Sequence, residues 1–195
     1  MKTGTALLVL GLLCGCGRQG PVAESPPLEA TSAKLATAKL ATAKLSTAKS
    51  AQERFYLLNA AAKQSLVAGN VSDAEKFAQE LIALAPQFKG DWNYGNAIQD
   101  ANLVLGSVAV KSGHLDEAKR LLLEAGKSPG SPRMKSFGPN MSLAKDLLEK
   151  GEREAVVEYF ELCRKFWKMD TGRLDQWSQQ AKAGKIPDFG ANLVY

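Results

Sequence analysis

Three glycines divide the C-terminal part of this chain into paired segments. Gly69, Gly113 and Gly151 each separate two runs in which apolar residues recur every three or four positions. Such spacing places the apolar side chains on one side of a helix, and glycine marks a point where a helix ends and the chain reverses direction. The sequence therefore predicts an all-α fold in which residues 51–195 form one domain of helical hairpins.

Several helix boundaries can also be predicted. The helix after Gly69 is expected to begin at a capping box, in which Ser72 and Glu75 bind each other's backbone amides, and to end at Pro86. A last helix over residues 173–183 is expected to cover the end of the domain. The apolar tail over residues 186–195 is expected to pack back against the domain.

These helix pairs resemble tetratricopeptide repeats, which are two-helix units of about 34 residues. The resemblance rests on small residues between the helices, on turn glycines and on a terminal proline. They are Ala61, Ala62, Gly69, Ala74 and Pro86 in one unit, Gly106, Gly113 and Ala118 in the next, and Ala144, Gly151 and Ala155 in a looser third. Because the turn glycines are 44 and then 38 residues apart, the resemblance implies a short, irregular tetratricopeptide-like array of stacked hairpins with a C-terminal covering helix.

The same resemblance implies a concave groove lined by the first helix of each pair. The family's groove positions fall on seven residues: Tyr56, Asn59 and Lys63 in the first unit, and Asp100, Leu103, Ser107 and Lys111 in the second. This mixed lining suits an extended peptide, because polar side chains can bind its backbone donors and acceptors. A protein or peptide is therefore the expected partner.

The N-terminus has the features of a secretory signal. A charge at Lys2 precedes a short apolar run, and the run ends in Leu13-Cys14-Gly15-Cys16. This motif resembles the lipobox of bacterial lipoproteins, which implies that residues 1–15 are removed and that Cys16 carries the lipid that holds the chain to the membrane. In a bacterium with two membranes, Gly17, where inner-membrane lipoproteins carry aspartate, implies the outer membrane, facing the periplasm. The alternative is an uncleaved membrane anchor, although the apolar run is much shorter than the roughly 20 residues of a membrane span.

Residues 16–50 are interpreted as a lipidated tether and a low-complexity spacer. A five-residue repeat, Ala-Lys-Leu-Ala-Thr, covers residues 33–47, with Ser46 in place of alanine in the third copy. A five-residue step turns a helix by about 500°, so Leu35, Leu40 and Leu45 fall on different sides. Alanine, lysine and leucine favour helix, so the sequence predicts a semi-rigid, partly helical spacer without a face to bury. In a second interpretation, the spacer's lysines bind an anionic lipid or polymer.

Charge and composition limit the chemistry of the domain. Residues 51–195 hold 19 Lys and Arg against 18 Asp and Glu, so a nucleic-acid partner is not expected. His114 is the only histidine, and Cys163 is the only cysteine outside the signal region. We expect His114 to lie exposed in a turn and Cys163 to be a buried small hydrophobic residue. No catalytic motif is present, so we expect neither an enzyme nor a metal or other cofactor.

Two loops combine aromatic residues with turn formers. Trp92 and Tyr94 lie in residues 91–96, and Phe137 lies in residues 136–140. These aromatics either fill gaps between irregular repeats or contact a ligand. The first hypothesis for function is a membrane-anchored, non-enzymatic scaffold of the bacterial cell envelope. The alternative is an envelope module that binds a glycan or small molecule through Trp92, Tyr94 and Phe137.

Overall fold

A computed structural model describes residues 28–194, together with Met1. The predicted signal segment and Cys16 lie outside the described residues. Within residues 28–194 the chain is all-helical and contains no strand, which confirms the predicted fold class. The helices are α1 Leu28–Ser46, α2 Ala51–Val67, α3 Val71–Leu84, α4 Tyr94–Lys111, α5 Leu115–Gly126, α6 Pro132–Phe137, α7 Ser142–Glu149, α8 Arg153–Cys163 and α9 Arg173–Lys182, with 3-10 turns at Ala85–Phe88 and Gly190–Leu193.

Three hairpins, α2–α3, α4–α5 and α7–α8, form the array. Each reverses direction at one of the predicted turn glycines, and Gly69, Gly113 and Gly151 have φ values of 80°, 79° and 87°. A residue with a Cβ rarely adopts this left-handed conformation, so glycine is strongly favoured at these turns. The predicted hairpin organisation is confirmed.

The hairpins stack so that their first helices share a layer. Helix α2 packs against α4, and α4 packs against α7, while α3 and α5 also pack against α4. Helix α8 packs against α5, and α9 covers α8 as expected for the terminal helix. The array is irregular because α6 and two loops separate the second hairpin from the third.

Small residues allow these helices to approach closely. A Cβ atom built on Gly106 of α4 would lie 2.2 Å from Cδ2 of Leu143 in α7. In the first hairpin, Ala61 and Ala74 are fully buried between α2 and α3. The predicted role of small residues at the helix contacts is therefore confirmed at these positions.

The spacer repeat does bury part of its surface, so the prediction that it has no face to bury is wrong. Helix α1 packs against α2, and Ala38 and Leu45 are 1% and 3% exposed. These residues are seven positions apart and therefore lie on the same side of the helix. The five-residue period prevents a stripe of leucines, and Leu40 is 57% exposed, but one alanine and one leucine are enough for the contact.

The predicted capping box of α3 is not present. Helix α3 begins at Val71, and its N-cap residue Asn70 forms no side-chain capping bond. A comparable arrangement occurs at the start of α2 instead. There the Glu53 amide donates to Ser50 Oγ at 3.1 Å, and the Lys49 amide donates to Glu53 Oε2 at 2.7 Å.

Candidate functional site

The predicted groove residues of α2 and α4 meet in the structure. Tyr56, Asn59 and Lys63 lie on one side of α2, because they are three and four residues apart. Lys63 Nζ lies 2.8 Å from Asp100 Oδ2 of α4, and the two side chains are only 15% and 10% exposed. This ion pair joins the predicted groove faces of two successive hairpins.

The remaining groove positions differ in their accessibility. Asn59 and Ser107 are mostly buried, and Asn59 Oδ1 has no hydrogen-bond partner among the described residues. Leu103 is fully buried in the core, so it presents no side chain to a groove. Lys111 is exposed at the end of α4, and its positive charge acts on the carboxyl group of Asp146 in α7. The accessible part of the predicted groove is therefore polar and charged.

Asp146 of α7 adds a further charged group to this layer. Its partial burial raises the pKa of its carboxyl above the ordinary value, and the neighbouring Glu149 acts in the same direction. Lys111, Lys145 and Lys150 oppose this rise in pKa through their positive charges. The layer of first helices thus carries acidic and basic groups on both α4 and α7.

An aromatic pair lies at the other end of the groove. The Tyr56 hydroxyl donates to the Asp91 carboxylate, and this hydrogen bond raises the pKa of Tyr56. The rings of Tyr56 and Trp92 stack with their centroids 6.0 Å apart and an interplanar angle of 27°. Trp92 is 63% exposed, so this pair forms an open aromatic platform beside the predicted peptide-binding residues.

The three loop aromatics do not form one site. Trp92 lies on the platform, whereas Tyr94 starts α4 and packs partly buried against the first hairpin's core. Phe137 is 72% exposed and lines a separate cavity. The structure therefore separates the residues that sequence reasoning grouped as ligand contacts.

That cavity has a volume of about 430 Å³ and lies between the start of α4, the loop after α6 and the C-terminal tail. Helix α4 contributes the side chains of Asn96, Gln99 and Asp100 to its wall. Two cationic side chains, Arg133 and Arg173, also line it. Asp100 belongs both to this wall and to the groove, so the two features adjoin.

The cavity wall is held by hydrogen bonds between distant segments. Asn192 Nδ2 donates to the backbone oxygens of Phe137 and Pro139 at 3.0 and 2.8 Å. On the opposite side, Ser131 Oγ donates to Asn96 Oδ1 at 2.7 Å. Asn192 and Phe189 are buried, which confirms that this part of the tail packs back on the domain. The tail thereby builds one side of the cavity.

The isolated cysteine and histidine lie where the sequence predicts. Cys163 is fully buried, and burial raises the pKa of its thiol. His114 is exposed and precedes α5 as its N-cap residue. Among the described residues, no group of three or more His, Cys, Asp and Glu side chains is arranged to hold a metal ion. In the same part of the chain, no helix has both the length and the hydropathy needed to cross a membrane.

No protein-family model matches this chain, and neither the curated proteins nor the solved structures include a significant match to it.

Proposed function

We propose that this chain is a membrane-anchored, non-enzymatic scaffold of the bacterial cell envelope. A lipid on Cys16 holds the chain to the outer membrane, facing the periplasm. The tetratricopeptide-like array then binds an extended segment of a partner protein along α2 and α4. The Lys63–Asp100 ion pair carries this proposal, because it places the two predicted groove faces side by side.

The chemistry of these faces supports a peptide ligand. An extended peptide presents backbone donors and acceptors at nearly every residue, and these groups need polar partners when they leave water. The Lys63–Asp100 pair, whose side chains keep 15% and 10% exposure, supplies such partners, and the Tyr56–Trp92 platform supplies an apolar contact at one end. The accessible Lys111 supplies a charge at the other end. A peptide lying along this layer would meet both kinds of contact.

The docking of α1 changes the proposed role of the spacer. Helix α1 has 19 residues and is therefore about 28 Å long, and it continues the domain through its contact with α2. Residues 17–27 span at most about 40 Å when fully extended. The proposed distance between lipid and groove is therefore set by a helix that belongs to the domain together with a short connecting segment.

Site-specific photo-crosslinking tests the binding surface. A photo-reactive residue replaces Lys111 on α4 in one variant and Lys76 on α3 in a matched control, since both lysines are exposed. We expect one defined protein to be crosslinked in cells at position 111 and not at position 76. Equal capture at both positions, or no capture at position 111, would contradict peptide binding by this layer.

Membrane fractionation tests the anchor separately. The variant Cys16→Ser is expected to leave the membrane pellet and appear in the soluble fraction, because stable attachment depends on acyl chains. The circular dichroism spectrum of the released protein is expected to remain helical. A Cys16→Ser chain that stays in the pellet would support the uncleaved anchor instead.

A further inference from the structure

We propose that the cavity between α4, α6 and the C-terminal tail binds a small acidic sugar, that is, a hydroxyl-rich ring that carries a carboxylate. This inference does not depend on peptide binding by the α2–α4 layer. The cavity volume of about 430 Å³ falls within the ~300–1,000 Å³ that is typical of small-molecule sites.

The charges of the cavity select an anion. Arg133 and Arg173 line it, and neither guanidinium forms an ion pair with another described residue. Asp100 also lines it, but its charge is compensated by Lys63 at 2.8 Å. The uncompensated charge of the wall is therefore positive, and a guanidinium is the side-chain group best matched to the two oxygens of a carboxylate.

Arg173 is held in position by contacts that do not use its terminal nitrogens. Its Nε donates to the backbone oxygen of Asp170 at 3.1 Å. Its guanidinium carbon lies 4.9 Å from the centroid of the Trp167 ring. These two contacts orient the guanidinium while its terminal nitrogens remain available to a ligand carboxylate.

Amide side chains of the cavity suit a hydroxyl-rich ligand. Asn140 Oδ1 accepts a hydrogen bond from the Ser142 amide at 2.8 Å, whereas Asn140 Nδ2 is buried without a partner among the described residues. Gln99 is only 2% exposed, and its Nε2 donates to the Tyr159 hydroxyl at the long distance of 3.4 Å. Ligand hydroxyls accept and donate hydrogen bonds, so they would complete these partly satisfied groups.

Phe137 supplies the apolar contact that a sugar ring needs. It is 72% exposed at the cavity rim, and Asn192 fixes its backbone oxygen at 3.0 Å. The following residue, Gly138, has a φ of 83°, and a Cβ built there would lie 2.5 Å from Cε2 of Trp167. The backbone that follows the ring is thus held in place, and an exposed aromatic ring is a suitable contact for the C–H side of a sugar.

This combination distinguishes an acidic sugar from simpler ligands. A neutral sugar would leave both guanidinium groups without a partner. A small inorganic anion would use the arginines but neither Phe137 nor the amides of Gln99 and Asn140. Only a ligand with a carboxylate, several hydroxyls and an apolar ring face matches all three parts of the wall.

Calorimetric titration of the purified full chain tests the site, with glucuronate as the probe. Glucose lacks the carboxylate and acetate lacks the ring, so each removes one part of the proposed recognition. We expect saturable glucuronate binding and at least about tenfold weaker binding of glucose and acetate. Equal binding of glucose and glucuronate would overturn the proposal, as would an absence of glucuronate binding.

Two matched pairs of variants locate the binding. Arg133→Gln is expected to weaken glucuronate binding about tenfold or more, whereas Lys135→Gln on the same helix, outside the cavity, is expected to leave it unchanged. Phe137→Ala is expected to weaken binding several-fold, and Phe137→Tyr, which retains the ring, is expected to preserve it. Binding that is insensitive to both Arg133→Gln and Phe137→Ala would place the ligand elsewhere and overturn the proposal.

A further variant tests the unpaired amide donor. Asn140→Asp keeps the oxygen that accepts from the Ser142 amide but replaces the donor nitrogen with a second oxygen. The new carboxylate also adds a negative charge to the cavity, so both changes are expected to abolish glucuronate binding with the helical spectrum retained, and retained binding would contradict the proposed site. Crosslinking at position 111 is expected to persist in Arg133→Gln, so the failure of either proposal can be recognised without the other.

Discussion

Lys63 of α2 and Asp100 of α4 form a 2.8 Å ion pair that connects the first hairpin to the second. Each side chain is largely removed from water, at 15% and 10% exposure. A pair of this kind contributes little net stability over an apolar pair of similar volume, because desolvation offsets most of the attraction. Its larger effect is on how the two hairpins are placed against each other, because burying either charge without the other is costly.

Removal of one partner should therefore cost more stability than removal of both. We expect Lys63→Met to lower the free energy of unfolding by about 2 kcal/mol, which is less than the ~3–5 kcal/mol of a fully buried pair. The double variant Lys63→Met with Asp100→Leu should recover most of this loss. Urea denaturation of the two single variants and the double variant measures the coupling energy.

An exposed lysine provides the control for this cycle. Lys89 is exposed in the loop before α4. Lys89→Met should therefore change the free energy of unfolding by less than about 0.5 kcal/mol. A double variant as unstable as Lys63→Met alone would mean that the ion pair does not couple the two hairpins.

The spacer contact allows a second prediction from residues of the same repeat. Leu45 is 3% exposed against the first hairpin, whereas Leu40 is 57% exposed. We expect Leu45→Ala to destabilise the docked α1 by about 2–3 kcal/mol, through loss of buried area and creation of a cavity. Leu40→Ala should change stability by less than about 0.5 kcal/mol. Hydrogen exchange of the α1 amides measures both effects, and equal protection in the two variants would refute the contact.

The hairpin architecture is predictable because its signals are local. Gly69, Gly113 and Gly151 lie directly between periodic apolar runs, so both the break and the two helices can be read within a short window. The buried contact of α1 escaped prediction because it depends on Leu45 and Ala38 meeting α2. The five-residue repeat contains no pattern that distinguishes those residues from Leu40.

The cavity could not be predicted for a related reason. Its walls depend on hydrogen bonds from Ser131 to Asn96 and from Asn192 to Pro139, which join segments far apart in the sequence. Near the start of α4, the sequence predicted a loop over residues 91–96 and a groove position at Asp100, but nothing there indicates a cavity. Phe137 was identified as a candidate contact, but its partners in the cavity were not.

Asp146 gives a prediction about pH dependence. Burial, followed by the charge of Glu149, raises the pKa of Asp146 in the folded state above the ordinary value of 3.8. The folded chain therefore holds this proton at pH values where the unfolded chain has lost it, so Asp146 lowers stability as pH rises through that interval. At pH values above the raised pKa, ionised Asp146 lowers the free energy of unfolding by its full amount.

We therefore expect Asp146→Asn to stabilise the chain at pH 7 by about 0.5–1 kcal/mol. The gain should shrink as pH falls and vanish near pH 3, where Asp146 itself is protonated in both states. Glu158→Gln on the exposed surface of α8 should show no such gain at pH 7. Thermal unfolding across this pH range measures the difference, and a gain independent of pH would contradict the assigned cause.

Two glycines with different surroundings allow a final prediction about packing. A Cβ on Gly95 would lie 1.9 Å from the backbone oxygen of Gly130, so alanine there requires the main chain to move. We expect Gly95→Ala to lower the free energy of unfolding by about 2–3 kcal/mol and to disturb the cavity, because Ser128 Oγ also donates to the Gly95 oxygen at 2.7 Å. Gly90 has no atom within 4 Å of such a Cβ, and Gly90→Ala should be neutral or stabilise by up to about 1 kcal/mol through the unfolded state. Urea denaturation compares the two variants, and equal effects would show that α4 and the loop at Gly130 do not approach as closely as the structure places them.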